Sequence, residues 1–205
     1  MSSTRAPLPW RDPWELVRVL AAAYGGEGLV WLDGDGSDLG RWGRLGVAPL
    51  ESVCCRGLPG QGGEQDPFAL LAALDQAQRS RGDHGGSWMG WLAYEAGAWV
   101  EPGAHWQEPA MAVLWAARFN HELVFDLREQ HLWLEGDAAY WADGEAHRRL
   151  QQLIETAEPP GVAELSVPPD SWQWHTSPAR FARQVQQIRA WIEAGDLFQA
   201  NLTAC

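Results

Sequence analysis

Two side-chain amides near the carboxyl end of the sequence are the clearest candidates for chemistry. A predicted helix closes at Gly195, the chain turns at Asp196, and an apolar run typical of a strand follows over residues 197–204. On such a strand Gln199 and Asn201 point to the same side, because successive side chains alternate. Two amides on one face suit the lining of a polar, uncharged cavity. The same spacing is equally typical of the exposed polar face of an edge strand.

The sequence holds no self-contained catalytic motif. It has no Walker loop, no GxGxxG after a strand, no GxSxG and no HExxH. His121-Glu122 begins like the zinc-protease motif, but Phe125 stands where the second histidine must return to the same helix face. We therefore predict a polar turn between strands at this position. All 15 basic residues are arginine, which excludes a lysine Schiff base within these residues.

A cluster of acidic residues also falls short of a metal motif. Asp33, Asp35 and Asp38 lie among glycines as in a calcium-binding loop. However, Arg44 stands where that loop needs its bidentate glutamate. We predict a polar hairpin loop here, and no metal site from either cluster.

The overall charge argues against two large classes of partner. The 205 residues include 15 basic and 27 acidic ones, for a net charge of −12. Such a charge repels phosphate backbones and anionic lipid surfaces, so we predict no nucleic-acid and no membrane partner. The sequence has no signal-peptide pattern and no apolar run near the ~20 residues that span a bilayer. We expect a cytoplasmic protein.

Three helix starts share one signature, a capping residue followed by proline. The capping residues are Asp12, Asp66 and Ser177. The predicted helices cover residues 13–24, 67 to about 79, 138–157 and 178–194. On the first helix, helical spacing predicts a buried stripe of Trp14, Val17, Ala21 and Tyr24.

Short apolar runs bounded by glycine predict the strands. They lie at residues 29–32, 45–48, 52–55, 87–94 and 110–125, with 130–134 as a hairpin partner of the last. We interpret the first three as an antiparallel meander. The final predicted strand, 197–204, would leave an unpaired apolar edge at the terminus, so we expect the sequence to be part of a longer protein.

The segment that carries the two amides resembles a known enzyme family. Residues 181–202, FARQVQQIRAWIEAGDLFQANL, resemble a helix and a Gly-Asp-x-x-Gln strand of component I of anthranilate synthase and of aminodeoxychorismate synthase, which are chorismate-utilising enzymes. Earlier blocks agree in order, and they are VWLDGDG at 30–36, GRWGRLGVAP at 40–49, DPFALLAALDQ at 66–76 and GGSWMGWLAYEAG at 85–97. The resemblance covers the N-terminal region of that family and the first helix and strand of its catalytic region.

The resemblance implies an architecture. We expect an α+β fold of antiparallel β-sheets packed with helices, the N-terminal part of the anthranilate synthase component I fold. Residues 1–170 would form the N-terminal domain, and 171–205 the start of the chorismate-binding catalytic domain. The family's magnesium-binding glutamates and, in the aminodeoxychorismate branch, its nucleophilic lysine follow the Gly-Asp-x-x-Gln strand. Since the sequence has no lysine and ends at Cys205, we expect it to be inactive alone.

The resemblance also gives Gln199 a catalytic role, with Gly195, Asp196 and Asn201 shaping the substrate site. Relatives that add water to chorismate carry lysine at the position of Gln199, as a base toward water. A neutral amide cannot take that proton at pH 7, whereas an ammonia-derived nucleophile needs less help. Gln199 therefore favours amination, and the sequel Ala200-Asn201-Leu202 is more similar to the aminodeoxychorismate branch.

The implied activity is amination of chorismate to 4-amino-4-deoxychorismate, for 4-aminobenzoate and folate synthesis. Its implied cofactor is Mg²⁺, and its implied partners are chorismate and a glutamine amidotransferase subunit that supplies ammonia. Two alternatives stay open. One is anthranilate synthase component I, and the other is a non-catalytic ligand-binding or docking module.

A second implied site is the tryptophan pocket of the family's N-terminal region. Asp33, Gly34, Arg41 and Trp42 match its two blocks. The family often places serine after the acidic residue, where this sequence has Gly34. The resemblance thus implies a pocket that lacks this hydroxyl.

Overall fold

The computed structural model describes residues 4–63, 65–81, 87–103, 106–107, 110–161, 168 and 175–203. Contacts between Cα atoms divide the chain into two units, residues 1–160 and 161–205.

The first unit contains most of the secondary structure. Its elements in chain order are β1 (Thr4–Leu8), α1 (Pro13–Tyr24), β2 (Val30–Leu32), β3 (Trp42–Gly46), β4 (Glu51–Cys55), β5 (Leu58–Pro59), β6 (Gly62–Gly63), α2 (Pro67–Arg81), β7 (Ser87–Leu92), a 3₁₀ helix (Tyr94–Trp99), β8 (Leu114–Phe119), β9 (His121–Asp126), β10 (His131–Gly136), α3 (Ala138–Ala142) and α4 (Gly144–Thr156). The second unit contains α5 (Pro178–Ala194).

Two antiparallel sheets organise the first unit. The larger has five strands in the order β1-β10-β9-β3-β2, and the smaller has three in the order β4-β8-β7. Strands β5 and β6 form a short parallel pair. Only Asn120 separates β8 from β9, so one length of chain crosses from one sheet to the other. The predicted α+β class with antiparallel sheets is confirmed.

The strand pairing confirms one prediction and corrects another. β9 and β10 form the predicted hairpin, with His131 opposite Asp126. The meander is wrong beyond its first pair, because β3 pairs with β2 and β9 while β4 pairs with β8 in the other sheet. The partners of β3 and β4 lie far along the sequence, and spacing within one segment carries no information about them.

Helix α1 begins and ends where predicted, but the face that it buries is not the predicted one. Asp12 Oδ1 accepts hydrogen bonds from the backbone N–H groups of Trp14 and Glu15 at 2.9 and 3.2 Å. The buried face consists of Pro13, Leu16, Val19 and Leu20. Trp14, which was expected on that face, is 50% exposed. Two neighbouring stripes have helical spacing, and the sheet covers the aliphatic one.

The main core lies between the five-stranded sheet, α1 and α4. Its fully buried residues include Leu16, Leu20, Leu45, Leu123, Phe125, Leu132, Leu134, Leu150 and Ile154. The helix predicted over 138–157 is interrupted at Asp143, whose side chain accepts from the N–H groups of Glu145 and Ala146 and so caps α4. Leu150 and Ile154 are the buried residues of α4.

The second unit confirms the helix and corrects the strand. α5 has its predicted bounds, and Ser177 Oγ accepts from the N–H group of Arg180 at 3.3 Å. The predicted strand 197–204 is wrong over its described residues, which have no strand pairing, and Phe198 is 96% exposed. An extended segment becomes a sheet strand only when a neighbour accepts and donates its backbone hydrogen bonds. Among the described helices, none combines the length and apolar character that a membrane crossing requires.

Candidate functional site

The turn after α5 holds the predicted substrate-site residues. Gly195 adopts the left-handed conformation at φ 82°. The N–H groups of Asp196 and Leu197 donate to the carbonyl oxygen of Trp191 at 2.9 and 3.3 Å. Glycine adopts this conformation without the steric cost that other residues incur. Gly195 therefore fixes the direction in which the chain leaves the helix toward the two amides.

Gln199 and Asn201 follow this turn as exposed side chains. Neither makes a hydrogen bond to another described residue. Their predicted roles in catalysis and in shaping the substrate site, like those of Gly195 and Asp196, stay predictions.

The loop between β2 and β3 is held by its own hydrogen bonds, as a polar hairpin loop. The N–H group of Gly36 donates to the carbonyl oxygen of Gly40 at 2.9 Å, and that of Ser37 donates to Asp35 Oδ1 at 2.9 Å. A Cβ atom added at Gly34 would lie 2.2 Å from the Gly40 carbonyl oxygen. A side chain at position 34 would therefore collide with the backbone of its own loop.

A cavity of about 340 Å³ opens beside this loop. It is lined by Trp10, Asp12, Pro13, Trp14, Trp31, Asp33, Gly34, Asp35, Gly36, Leu127 and Gln130. The rings of Trp14 and Trp31 are stacked, with centroids 6.0 Å apart. Of the four residues expected to form a tryptophan pocket, Asp33 and Gly34 line this cavity.

The other two, Arg41 and Trp42, do not line the cavity, and Arg41 instead forms a partly buried ion pair with Asp126. Arg41 Nε donates to Asp126 Oδ1 and Oδ2 at 2.9 and 3.0 Å, and Arg41 Nη2 donates to Oδ2. These hydrogen bonds hold the pKa of Asp126 at about 2, below its usual range. The Arg41 guanidinium also lies 5.1 Å from the ring centroid of Trp42. In this arrangement Arg41 joins β3 to β9.

Sequence reasoning missed a second buried carboxylate on β9. Glu122 Oε1 accepts from Arg44 Nη1 at 2.7 Å and from Ser87 Oγ at 2.8 Å. Its Oε2 atom is buried with no partner among the described residues. Glu122 and Asp126 are four residues apart in an apolar strand and so lie on one face. Two acidic residues on the same face of a strand, as Glu122 and Asp126 are here, are the signal that predicts basic partners on neighbouring strands.

His121 is part of the same strand, so the polar turn predicted there is wrong. Its ring stacks on Tyr140 with centroids 4.2 Å apart, and Nδ1 lies 2.8 Å from Asn120 Oδ1. Burial lowers the pKa of His121 from 6.5 to about 4. Among the described residues, no three His, Cys, Asp or Glu side chains are placed to hold a metal ion.

Comparison with known proteins identifies the family. Residues 41–205 match the family described as chorismate binding enzyme. The chain belongs to this family. An anthranilate synthase component I-like protein of Synechocystis is 32% identical over 133 residues, which cover 58% of this chain and 24% of that protein. The chain therefore spans about a quarter of the length of this relative.

Membership in the chorismate-binding family confirms the resemblance found in the sequence. The matched range includes Arg41, Trp42 and the turn from Gly195 to Asn201. Most of the residues that line the cavity lie before it, since the match begins at residue 41. The matched range thus includes the Gly-Asp-x-x-Gln segment and, of the cavity lining, only Leu127 and Gln130.

Proposed function

We propose that this chain is the N-terminal part of an enzyme that aminates chorismate to 4-amino-4-deoxychorismate. Ammonia would come from a glutamine amidotransferase subunit, and the product would serve 4-aminobenzoate and folate synthesis in the cytoplasm. The observation that carries the proposal is Gln199, in a Gly-Asp-x-x-Gln segment of a chain that belongs to the chorismate-binding family.

The chemistry of an amide supports amination over hydration. Addition of water to the ring requires a base, and a neutral carboxamide cannot accept a proton at pH 7. In amination, ammonia forms the new C–N bond and the hydroxyl group leaves as water. Gln199 would line the reacting end of the substrate. The left-handed turn at Gly195 would set its position four residues later.

Mg²⁺ is part of the proposal for the complete enzyme. The described residues do not fit such a site, since no group of three potential ligands is assembled among them. The proposal therefore assigns the metal to glutamates outside these residues, as the sequence resemblance implies.

Anthranilate synthase component I is the second candidate function. The name of the Synechocystis relative supports it. The two reactions differ in the ring carbon that receives the amine and in the loss of pyruvate, which accompanies only anthranilate formation. A non-catalytic binding or docking module is the third candidate.

Two measurements, made one after the other, test the proposal. The first determines the coding DNA beyond codon 205. An open frame that encodes a lysine and paired glutamates supports the enzyme, whereas an immediate stop codon supports the module. The second incubates the complete protein with chorismate, ammonium and Mg²⁺ and identifies products by mass spectrometry. Amino-deoxychorismate supports the proposal, and anthranilate with pyruvate overturns it in favour of the second candidate.

A pair of variants of the complete protein tests the role of Gln199. Gln199→Ala should lower kcat/KM for amination by about 100-fold, the usual order of magnitude for loss of one polar group at a reacting centre. Gln187→Ala removes an equally exposed amide from α5 and should leave kcat/KM unchanged. Equal activity of both variants would contradict a catalytic role for Gln199.

A further inference from the structure

The cavity beside α1 combines aromatic walls with negative charge. Its aromatic lining residues are Trp10, Trp14 and Trp31, and its acidic lining residues are Asp12, Asp33 and Asp35. Among the described residues that line the cavity, none is basic. Tryptophan faces attract cations through the ring quadrupole, and carboxylates attract them by charge. The tryptophan rings and the aspartates therefore both favour a positively charged ligand.

Two arginines that adjoin lining residues in the sequence, Arg11 and Arg128, have partners other than the aspartates of the cavity. Arg128 Nη1 pairs with Asp38 at 2.6 Å, and Asp38 does not line the cavity. Arg11 Nη1 donates to the carbonyl oxygens of Ile154 and Ala157 at 2.9 and 2.8 Å. Among the described residues, no ion pair involves the three aspartates of the cavity. Their negative charge is thus available to a ligand.

The backbone N–H groups at the two ends of the cavity offer little to a ligand carboxylate. The amino end of α1 could attract an anion, but Asp12 already accepts from the N–H groups of Trp14 and Glu15. In the loop, the N–H group of Gly36 donates to the Gly40 carbonyl oxygen and that of Ser37 to Asp35. These four backbone donors are therefore occupied.

We propose that this cavity binds an organic ammonium ion that has a flat apolar body and no carboxylate group. The apolar body would pack against the tryptophan rings, and the ammonium group would lie near Asp33 and Asp35. The amino acid tryptophan, which the sequence resemblance implies, would bring its α-carboxylate close to three like charges. The cavity should therefore discriminate against an amino acid and in favour of the corresponding amine.

Calorimetric titration of the 205-residue chain with three indole probes tests the charge preference. Tryptamine carries only the ammonium group, tryptophan carries both charges, and indole-3-propionate carries only the carboxylate. Tryptamine should bind at least about tenfold more tightly than tryptophan, and indole-3-propionate should not bind, because juxtaposed like charges are strongly unfavourable. Equal or tighter binding of tryptophan, or no binding of tryptamine at millimolar concentration, would overturn the proposal.

Matched variants test the location. Asp33→Asn should weaken tryptamine binding by about fivefold, the upper range for a partly exposed charge pair. Asp38→Asn removes the same charge from the same loop outside the cavity and should change the affinity less than twofold. Equal effects would indicate a general charge effect and overturn the assignment. If Asp33→Asn does not fold, Trp14→Leu replaces it, since Trp14 is half-exposed and its loss should also weaken binding.

The indole N–H signal of Trp31 gives an independent readout. Its Nε1 atom is buried with no partner among the described residues. In an NMR titration this signal should shift with tryptamine, whereas the signal of Trp91, which donates to the Ala112 carbonyl oxygen elsewhere in the fold, should not. A shift of Trp91 alone would place the ligand elsewhere and overturn the proposal.

Discussion

The two units differ in how far they bury the apolar side chains of their helices. Ile154 on α4 is fully buried between α1 and the five-stranded sheet, whereas Ile192 on α5 is 41% exposed. None of the described residues of the second unit is buried. The apolar residues of both helices recur at helical spacing, so this spacing establishes the helix but not its burial. Burial depends on the neighbouring elements.

The largest expected effect comes from truncating one isoleucine in each unit. Ile154→Ala should lower the free energy of unfolding by about 2–5 kcal/mol, because it leaves a cavity in a packed core. Ile192→Ala should lower it by less than about 1 kcal/mol, because the removed atoms are already partly hydrated. Urea unfolding followed by circular dichroism compares the two. If Ile192→Ala lowered the free energy of unfolding by several kcal/mol, Ile192 would contribute as a buried side chain does, which would contradict the prediction.

The next prediction concerns a buried histidine of the first unit. Because burial lowers the pKa of His121 to about 4, the unfolded chain binds more protons than the folded chain between pH 6.5 and 4. Stability should be full above pH 6.5 and fall as the pH drops to 4, by up to about 3 kcal/mol. His121→Phe keeps a ring against Tyr140 and should remove this fall. Urea midpoints measured across that pH range check it, and an unchanged slope would contradict it.

The sequence predicts local features of both units well and their pairing poorly. The bounds of α1 and α5 follow from Asp12, Gly25, Ser177 and Gly195, which act through hydrogen bonds to backbone groups a few residues away. The partner of β3 is β9, about 80 residues later, and no local spacing reports it. The division of residues 138–157 at Asp143 was missed because an aspartate inside a helical pattern is also compatible with an exposed position.

A smaller effect is expected from restoring serine in the loop after β2. Gly34→Ser should lower the free energy of unfolding by about 1–3 kcal/mol, because its Cβ would lie 2.2 Å from the Gly40 carbonyl oxygen. Gly26→Ser is the matched control, since nothing lies within 4 Å of a Cβ at that position. Thermal unfolding of both variants tests this. Equal stability would mean that the loop accommodates a side chain and that Gly34 is not sterically required.

The last prediction concerns how stability depends on pH in acid. Hydrogen bonding from Arg41 lowers the pKa of Asp126 to about 2, so this pair contributes stability above pH 4 that is lost as the pH falls toward 2. Asp126→Asn should lose that contribution and show a flatter pH dependence between 4 and 2. Unfolding midpoints at pH 2, 3, 4 and 5 measure the difference. Parallel curves for the variant and the unmutated chain would show that the Arg41–Asp126 ion pair does not contribute to the pH dependence of stability.

Some residues of the candidate site could be predicted from local sequence, whereas others could not, because their neighbours come from distant segments. Gly195 and Asp196 form a helix terminus, which the sequence identifies without any tertiary partner. Asp33 and Gly34 line the cavity as part of a polar loop, yet the tryptophans of its walls come from α1 and β2 and are gathered only by folding. Arg41 was expected to line the tryptophan pocket, but it pairs with Asp126 instead. The sequence did not indicate this pairing, because the two residues are 85 positions apart.

The position of β1 in the larger sheet has a consequence for synthesis of the chain. Among the described strands β1 pairs only with β10, and Leu8 meets Leu132 across more than 120 intervening residues. At a translation rate of about 5–20 residues per second, β1 leaves the ribosome roughly 6 to 25 seconds before its partner exists. The hairpin of β9 and β10 closes within microseconds once both strands are present. The first strand to be made is therefore the last that can join the sheet, and a chain that stops before residue 131 has no place for it.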